Sequence, residues 1–368
     1  MNSRAELSIS RRQLLQGSAV LVTSQCLSAS LLGAAERLRL RKPLRLGLDS
    51  YAVRSMGWKA ARIIDFAASL QCDSLFITNL GVFEQLSESH LAAVKAHADR
   101  LNIQLYLGIW SICPTSVRFK DTWGTADEHL ALGIRVAVAL GSPVVRVVLG
   151  SREDRLTPGG IDARIADLVQ VLKRGRSRAV DAGVKIAVEN HSGDMHSLEL
   201  VRLIEEAGPD FVGANIDSGN AVVAMEDPLE NLENLGRYAI VTSLRDSAAW
   251  KTDRGAMFQW IAMGDGQVDW HAYFSLFAEL CPETPVNIET ISGENRGIPF
   301  ETEAFMKSWP HGRPKGFDRF VAFVERGSHR AEHQRPEGID RAVADREYQR
   351  SEIERSIAYC RRLGLGVR

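Results

Sequence analysis

After Pro43, the sequence alternates eight times between a short apolar run and a longer stretch in which apolar residues recur with helical spacing. The first pair is LRLGLDSYA followed by WKAARIIDFAASLQ, and the last is TPVNIET followed by GFDRFVAFVERG. The apolar runs lack the strict alternation of a half-exposed strand, which is typical of parallel strands buried under helices. The pattern predicts an α/β protein in which residues 44–327 form one (β/α)8 barrel.

An open, doubly wound sheet is the alternative fold for the same alternation. Folds of that kind bind dinucleotides through a G-x-G-x-x-G turn after the first strand. The first apolar run here continues as GLDSYAVRSMG, which does not contain that turn. The barrel is therefore the favoured arrangement, and the length of 368 residues suits one large barrel.

The first 35 residues have the order of an export signal. Arg11 and Arg12 precede a weakly apolar stretch that closes with the small residues Gly33, Ala34 and Ala35. The SRR-x-L-L pattern is similar to a twin-arginine signal, which predicts export of the folded protein to the periplasm. An amphipathic N-terminal helix is the alternative. The stretch is too short and too polar to predict a stable membrane span.

The C-terminal segment, residues 328–368, differs in composition from the barrel region. In DRAVADREYQRSEIERSIAYCRRLG, charged residues dominate and the apolar residues are sparse. This pattern predicts an extra, charged C-terminal helix that faces solvent on one side. Its other side packs either on the barrel or on a second subunit of a homo-oligomer.

The charge and cysteine content disfavour several classes of protein. With 45 Lys+Arg against 46 Asp+Glu, the net charge is −1, so the composition gives no support to a nucleic-acid partner. Nine histidines are few for a phosphodiester-cleaving metal centre. The five cysteines form no C-x-x-C pair, so we expect small buried residues rather than a zinc or redox motif.

Acidic residues follow three of the last four predicted strands. Glu189 ends VKIAVE, Asp217 ends FVGANID and Glu289 ends TPVNIE. In a parallel barrel these strand ends meet at one opening, where catalysis takes place. Three carboxylates at one opening repel each other unless a cation or a shared proton offsets them, so they predict a divalent metal site, with Mn, Mg, Co and Zn not distinguished. The alternative is that each carboxylate caps a helix or pairs with a basic residue such as Arg245 or Arg146.

Five short motifs occur in this part of the chain, namely VENHSGD, NIDSGN, LRD, GDGQVDW and NIET. In order and spacing they resemble the sugar phosphate isomerase/epimerase superfamily, the xylose-isomerase-like TIM barrels, over roughly residues 44–327. The resemblance implies a divalent metal bound by a Glu, an Asp, a His and a second Glu on strands five to eight. Carried over to this chain, it implies Glu189, Asp217 and Glu289 as metal ligands.

The chain departs from the family pattern at two histidines. Ser243 stands where the family usually has the histidine ligand of His-x-Lys-Asp. Asn220 stands where a second histidine is often seen, three residues after the Asp. His191, two residues after Glu189, is a candidate to take the missing position. The alternatives are that water completes the site, or that the metal is weakly bound or missing.

The resemblance implies an enzyme, a metal-dependent sugar isomerase or epimerase. In that chemistry a proton leaves a carbon next to a carbonyl group and an enediolate forms. Glu189 and Glu289 would remove and return the proton from opposite sides, and Arg245 would orient a substrate oxygen. Two other functions are left open. One is a lyase that eliminates from a 3-keto-glycoside, and the other is a sugar-binding protein that has lost catalysis with its histidine ligand.

Further side chains are candidate contacts for a small carbohydrate, which we expect not to be phosphorylated because exported proteins seldom meet sugar phosphates. Sugar rings rest their apolar faces on aromatic planes, which makes Trp110 a candidate wall of the pocket. His191 and Asn220 are candidate partners for substrate oxygens. The connection 290–317 is long enough to predict a lid or binding loop.

Overall fold

A computed structural model describes residues 38, 40 and 42–368 of the chain. The predicted export signal lies outside the described residues, so it stays a prediction. Within the described part, no helix is both long and apolar enough to cross a membrane. Four cysteines are described, and all of them are free and buried, as expected from the sequence: Cys72, Cys113, Cys281 and Cys360.

Eight parallel strands form the central sheet. They are β1 (Leu46–Asp49), β2 (Ser74–Ile77), β3 (Gln104–Ser111), β4 (Val144–Val148), β5 (Lys185–Glu189), β6 (Val212–Ile216), β7 (Ala239–Thr242) and β10 (Val286–Ile288). Their order in the sheet is β10-β1-β2-β3-β4-β5-β6-β7. The sheet closes just after β7, where Leu244 N–H donates to Asn287 O at 2.8 Å and Glu289 N–H donates to Leu244 O at 2.9 Å. The predicted (β/α)8 barrel is thereby confirmed.

Helices surround the barrel and follow its strands. They are α1 (Ala60–Ser69), α2 (Glu88–Arg100), α3 (Ala126–Leu140), α4 (Gly160–Asp181), α5 (Ser197–Ala207), α6 (Ser218–Val223), α7 (Pro228–Leu235), α8 (Trp270–Leu280), α9 (Glu303–Met306), α10 (Phe317–Glu325) and α11 (Arg341–Arg362). Short 3-10 helices lie in the connections at Ser50–Met56, Leu80–Val82, Asp121–Trp123, Arg152–Leu156 and Gly236–Tyr238.

Local sequence signals explain where these helices begin and end. At α3, the Thr125 side chain accepts from the Glu128 N–H while the Glu128 carboxylate accepts from the Thr125 N–H, so two free donors of the first turn are satisfied. The helix ends at Gly141, which has φ 68°. A glycine adopts this left-handed conformation without the steric cost that a Cβ would add.

A three-stranded antiparallel sheet, here called the inserted sheet, was not predicted from the sequence; it consists of a hairpin between β7 and β10 and one strand that follows β10. Its strands are β8 (Asp246–Thr252), β9 (Gly255–Ile261) and β11 (Asn295–Ile298), in the order β11-β9-β8. The segment 290–317, predicted to be a lid or binding loop, contributes β11 and α9. Only Asp253 and Arg254 separate the apolar runs of β8 and β9, and two such runs with a two-residue connection are typical of a β-hairpin. This pattern would have predicted the first two strands of the sheet.

One carboxylate fixes the start of the inserted sheet to the barrel. Asp246 is fully buried and accepts from the N–H groups of Gly264 (3.0 Å) and Gly266 (3.1 Å) and from Trp270 Nε1 (2.8 Å). A Cβ on Gly266 would lie 2.0 Å from Asp246 Oδ1, so only glycine allows this close approach. The motifs LRD and GDGQVDW are thus two halves of one structural contact.

The charged C-terminal helix is present as predicted, but it belongs to the main core. Ile353, Ile357 and Cys360 of α11 are buried in the same apolar cluster as the barrel strands. The Gly366 N–H, beyond α11, donates to Leu44 O at 2.8 Å. By contrast, α10, which the sequence analysis assigned to the eighth barrel unit, buries its apolar face in a second cluster with Phe258 of the inserted sheet.

Replacing Ile353 with alanine is expected to lower the free energy of unfolding by about 2–5 kcal/mol, because a fully buried aliphatic side chain leaves a cavity behind. Val343, on the same helix, is 36% exposed, and Val343→Ala is expected to cost less than about 0.5 kcal/mol. Urea unfolding followed by circular dichroism measures both values. Equal losses in the two variants would mean that α11 is not part of the barrel core.

Candidate active site

The acidic residues predicted from the strand ends do meet at the C-terminal opening of the barrel. Glu189 ends β5, Asp217 is the N-cap of α6 directly after β6, and Glu289 directly follows β10. All three are buried, with exposed fractions of 3%, 0% and 7%. Burial of three carboxylates in one region requires positive charge or hydrogen-bond donors close to them.

Arg245 supplies positive charge between two of the three acids. It lies shortly after β7, and its Nη2 contacts both Asp217 Oδ2 and Glu289 Oε2, while its Nε donates to Asp217 Oδ1 at 3.1 Å. Burial lowers the pKa of Arg245, but the charges of Asp217 and Glu289 outweigh this effect and raise it above the usual value. The guanidinium is therefore a permanent cation that bridges Asp217 and Glu289.

A second arginine neutralises the third acid. Arg146, on β4, places its Nε 3.1 Å from Glu189 Oε2, and its Nη1 donates to Ile109 O at 2.8 Å. Asn215 Nδ2 also donates to Glu189 Oε2, at 3.0 Å. Burial raises the pKa of Glu189, Arg146 opposes this in part, and the charge of Glu289 adds to it. Glu189 therefore binds a proton more tightly than an exposed glutamate does.

Asn220 connects the two halves of the site. Its Nδ2 donates to Asp217 Oδ2 at 2.6 Å and to Glu189 Oε1 at 3.3 Å. Its Oδ1 is buried without a hydrogen-bond partner among the residues that the structure describes, and the same holds for Arg245 Nη1. Both residues line a cavity, and buried polar atoms without a protein partner are commonly paired with water or with a bound molecule.

The cavity has a volume of about 560 Å³ and lies at the barrel opening. The predicted site residues that line it are Glu189, Glu289, Arg245, His191, Asn220 and Trp110. Asp217 is fully buried and is not among the lining residues. Asp217 contacts Arg245 and Asn220, which do line the cavity.

His191 is fixed by the backbone and by Trp110. Its Nδ1 lies 2.6 Å from Gly150 O, which requires the proton on Nδ1, and its Nε2 lies 3.3 Å from Ser192 Oγ. The Trp110 ring packs edge-on against the imidazole with 5.3 Å between ring centroids. Burial lowers the pKa of His191 to about 4, so the ring is neutral at physiological pH.

Asp49 is a site residue that the sequence analysis missed. It ends β1, is fully buried, and accepts from Ser243 Oγ at 2.9 Å and from Thr78 Oγ1 at 3.3 Å. Burial and the charge of Glu289 raise the pKa of Asp49 well above the usual range. The signal was available, because LGLD ends in an acid just as VKIAVE does, but only the later strand ends were considered.

Trp260, on β9 of the inserted sheet, forms a wall of the cavity that was also not foreseen. Its ring lies 4.4 Å from the Arg245 guanidinium, and its Nε1 donates to Gly219 O at 2.9 Å. A Cβ on Gly219 would lie 2.5 Å from Arg245 Cγ and 2.6 Å from Trp260 Nε1. The glycine in NIDSGN is therefore required for the close packing of Arg245 and Trp260.

The residues at the opening do not fit a divalent metal in this arrangement. Asp217 and Glu289 already share the Arg245 guanidinium, and Glu189 is paired with Arg146. Within residues 42–368, no group of three or more His, Cys, Asp or Glu side chains could hold a metal ion. The arginine pairing that the sequence left open as an alternative is present at all three carboxylates, and a divalent metal stays a prediction.

Comparisons with known proteins agree with this fold. A protein of unknown function, y4fM of Sinorhizobium fredii, is 29% identical over 167 residues, which are 44% of this chain and 52% of that protein. The chain thus spans about half the length of this relative. A D-psicose 3-epimerase solved in the presence of D-fructose is similar in fold, with a TM-score of 0.55 and 15% identity over 87% of this chain and 100% of that chain.

A second solved structure, the IolI protein with a bound zinc atom, has a TM-score of 0.54 and 16% identity over 76% of this chain and 98% of that chain. At such identities the likeness concerns the fold. The sequence profile of one family, described as a xylose isomerase-like TIM barrel, matches residues 52–309. This match covers well over half of the chain, and the chain therefore belongs to the xylose isomerase-like TIM barrel family.

Proposed function

We propose that the chain is a carbohydrate isomerase or epimerase that moves a proton at a carbon next to a carbonyl group. The family and the similarity in fold to a D-psicose 3-epimerase support an enzyme of this kind. The observation that carries the proposal is the cavity itself. Glu189 and Glu289 both line it, and the unpartnered Nη1 of Arg245 belongs to the same wall.

Glu189 and Glu289 are the acid–base pair of this proposal. They end strands that lie three places apart in the eight-stranded barrel, so they approach the cavity from different sides. Burial raises the pKa of Glu189, so its carboxylate is a stronger base toward a carbon-bound proton than an exposed glutamate is. Glu289, protonated from solvent, then delivers a proton from the other side, and Glu189 releases its proton to solvent to complete the cycle.

Arg245 stabilises the charge that develops on the substrate oxygen. Removal of a proton next to a carbonyl group converts the carbonyl oxygen into an enediolate oxygen, and a fixed donor close to that oxygen lowers the barrier. Arg245 Nη1 is a charged donor with no other partner in the described chain, and Asp217 holds its guanidinium from behind. The oxygen on the adjacent carbon can bond to the amide of Asn220.

A divalent metal is predicted from the three carboxylates and from the family resemblance, and the IolI neighbour is described with a bound zinc atom. The carboxylates here are already matched by Arg146 and Arg245. No step is therefore assigned to a metal.

The proposal is tested by incubating the full chain with a panel of ketoses, aldoses and their acids and recording ¹H NMR spectra. We expect a new isomer from at least one compound, at the same rate with EDTA and with added Mn²⁺ or Zn²⁺. Accumulation of an unsaturated product would instead identify a lyase. Binding of sugars without any turnover would identify a protein that binds carbohydrate and does not catalyse.

A further inference from the structure

The wall of the active-site cavity carries more positive than negative charge. Two of its lining residues, Glu189 and Glu289, are acidic. The basic lining residues are Arg54, Arg118, Lys120, Arg146, Arg245 and Arg296. Arg146 and Arg245 are the partners of the buried carboxylates. Four basic side chains are therefore left without a role in neutralising the acids of the site.

Of these four, Arg54 and Arg296 make side-chain contacts within the described chain, although Arg54 is exposed and Arg296 is half-buried. Arg54 Nη1 donates to Tyr51 O at 3.1 Å, and the guanidinium lies 4.8 Å from the centroid of the Tyr51 ring. No carboxylate of the described chain lies within ion-pair distance of Arg54. Arg296 pairs with Glu294 at 2.9 Å, but the Glu294 side chain is 72% exposed, and exposed ion pairs of this kind contribute little.

Trp260 places two arginines on the same ring system. The Arg245 guanidinium lies 4.4 Å and the Arg296 guanidinium 4.3 Å from the centroid of the Trp260 ring. Arg296 belongs to β11 and Trp260 to β9, which are paired neighbours in the inserted sheet. The inserted sheet therefore adds a second positive charge close to the one that bridges Asp217 and Glu289.

These positive charges repel each other in a partly buried cleft. Burial lowers the pKa of Arg296, Glu294 opposes this, and the charges of Arg245 and Arg54 lower it further. A cleft lined by one sign of charge concentrates ligands of the opposite sign, because its low-dielectric walls focus the field. An anionic group bound between Arg54 and Arg296 would relieve the repulsion and accept charge-assisted hydrogen bonds from both guanidinium groups.

We propose that the substrate is an acidic carbohydrate whose carboxylate or phosphate group is bound by Arg54 and Arg296. A phosphate would depart from the unphosphorylated substrate that the predicted export signal leads us to expect. A cavity of about 560 Å³ is large enough for a monosaccharide with such a group. The acidic group lies against the inserted sheet, and the carbonyl carbon lies between Glu189 and Glu289. The assignment of the reacting end rests on the proposed function, whereas the anion site rests only on the arginines.

Isothermal titration calorimetry with the full chain tests the anion site, with D-glucuronate, D-glucose 6-phosphate and D-glucose as probes. We expect at least one of the two anions to bind about tenfold or more tightly than D-glucose, since a hydrogen bond to a charged group contributes enough for such a ratio. The anion that binds more tightly distinguishes a sugar acid from a sugar phosphate. Equal affinity for D-glucose and both anions would overturn the proposal.

Arg54→Gln and Arg296→Gln are each expected to weaken binding of the preferred anion by about tenfold or more, and to weaken binding of D-glucose by much less. Arg62→Gln is the matched control, because Arg62 also lies over an aromatic ring, Trp58 at 5.3 Å, but is not part of the cavity lining. Anion binding that is unchanged in both cavity variants would also overturn the proposal.

This result is separable from that of the proposed function. Isomerisation of a neutral sugar, with no preference for anions, would retain the enzyme and reject the anion site. Arginine-dependent binding of an anion without any turnover would retain the anion site and reject the enzyme.

Discussion

Replacing Arg245 with leucine is expected to lower the free energy of unfolding by about 3–5 kcal/mol, the typical loss when one partner of a buried ion pair is removed. The variant leaves Asp217 and Glu289 buried without the guanidinium that both of them contact. Their charges then repel each other and that of Glu189 with no cation between them. Urea unfolding at neutral pH measures the loss.

Two variants show whether the loss comes from the buried charge. Arg245→Lys keeps a positive charge but cannot contact both acids through one planar group, so we expect a smaller loss than for leucine. Arg174→Gln removes an ion pair with Asp127 whose side chains are about half exposed, and we expect a loss below about 1 kcal/mol. If Arg245→Leu cost no more than Arg174→Gln, the acids would not depend on Arg245.

Glu189→Gln and Glu289→Gln are each expected to reduce turnover of a carbohydrate substrate by about 100- to 10,000-fold, the usual contribution of a positioned acid or base. Glutamine keeps the shape of the side chain and can still accept a hydrogen bond, but it cannot carry the proton. The double variant is expected to be little slower than the slower single variant. The effects of two substitutions are not additive when both residues act in the same sequence of proton transfers.

Glu226→Gln is the control for the glutamate variants. Glu226 is 1% exposed and accepts from Asn231 Nδ2 at 2.8 Å, but it does not line the cavity. We expect lower stability and nearly unchanged turnover. Turnover by Glu189→Gln and Glu289→Gln that is as fast as that of Glu226→Gln would exclude both glutamates from the chemistry.

The barrel, and the position of its acidic residues at one opening, could be predicted from the sequence because all of its strands run in the same direction. Parallel strands place their carboxyl ends at one opening, so the last residue of an apolar run identifies a residue of the site. This reasoning found Glu189, Asp217 and Glu289 at the opening. Applied to the first run, it would also have found Asp49, whose carboxylate accepts from Ser243.

The partners of these acids could not be predicted in the same way. Arg146 lies inside β4, and Arg245 follows β7. The carboxylate that each arginine contacts depends on side-chain geometry across the barrel and not on spacing along the chain. Only Ser243, Leu244 and Arg245 separate β7 from β8, so the start of the inserted sheet cannot be told from the end of the barrel strand by its sequence pattern. With that sheet, Trp260 and Arg296 were missed as walls of the cavity.

For the charged C-terminal segment, the helix could be predicted from the sequence, but the surface on which it packs could not. Its sparse apolar residues predict a helix with a narrow buried face, and α11 has such a face with Ile353 and Ile357. Where that face packs is a matter of three-dimensional position. The buried face of α11 packs in the same apolar cluster as the barrel strands. By contrast, α10, which has a stronger apolar pattern, packs against the inserted sheet. Assembly into a homo-oligomer stays a prediction.

The central claim is that hydrogen moves as a proton through a side chain of the cavity, and the deuterium content of the product measures this directly. The wild-type reaction is run to partial conversion in deuterated buffer, and the product is analysed by NMR. We predict deuterium on the carbon that receives the proton, because the carboxyl groups exchange with solvent. A product free of deuterium would exclude this route, since the hydrogen would then have reached its final position without exchanging with solvent through Glu189 or Glu289.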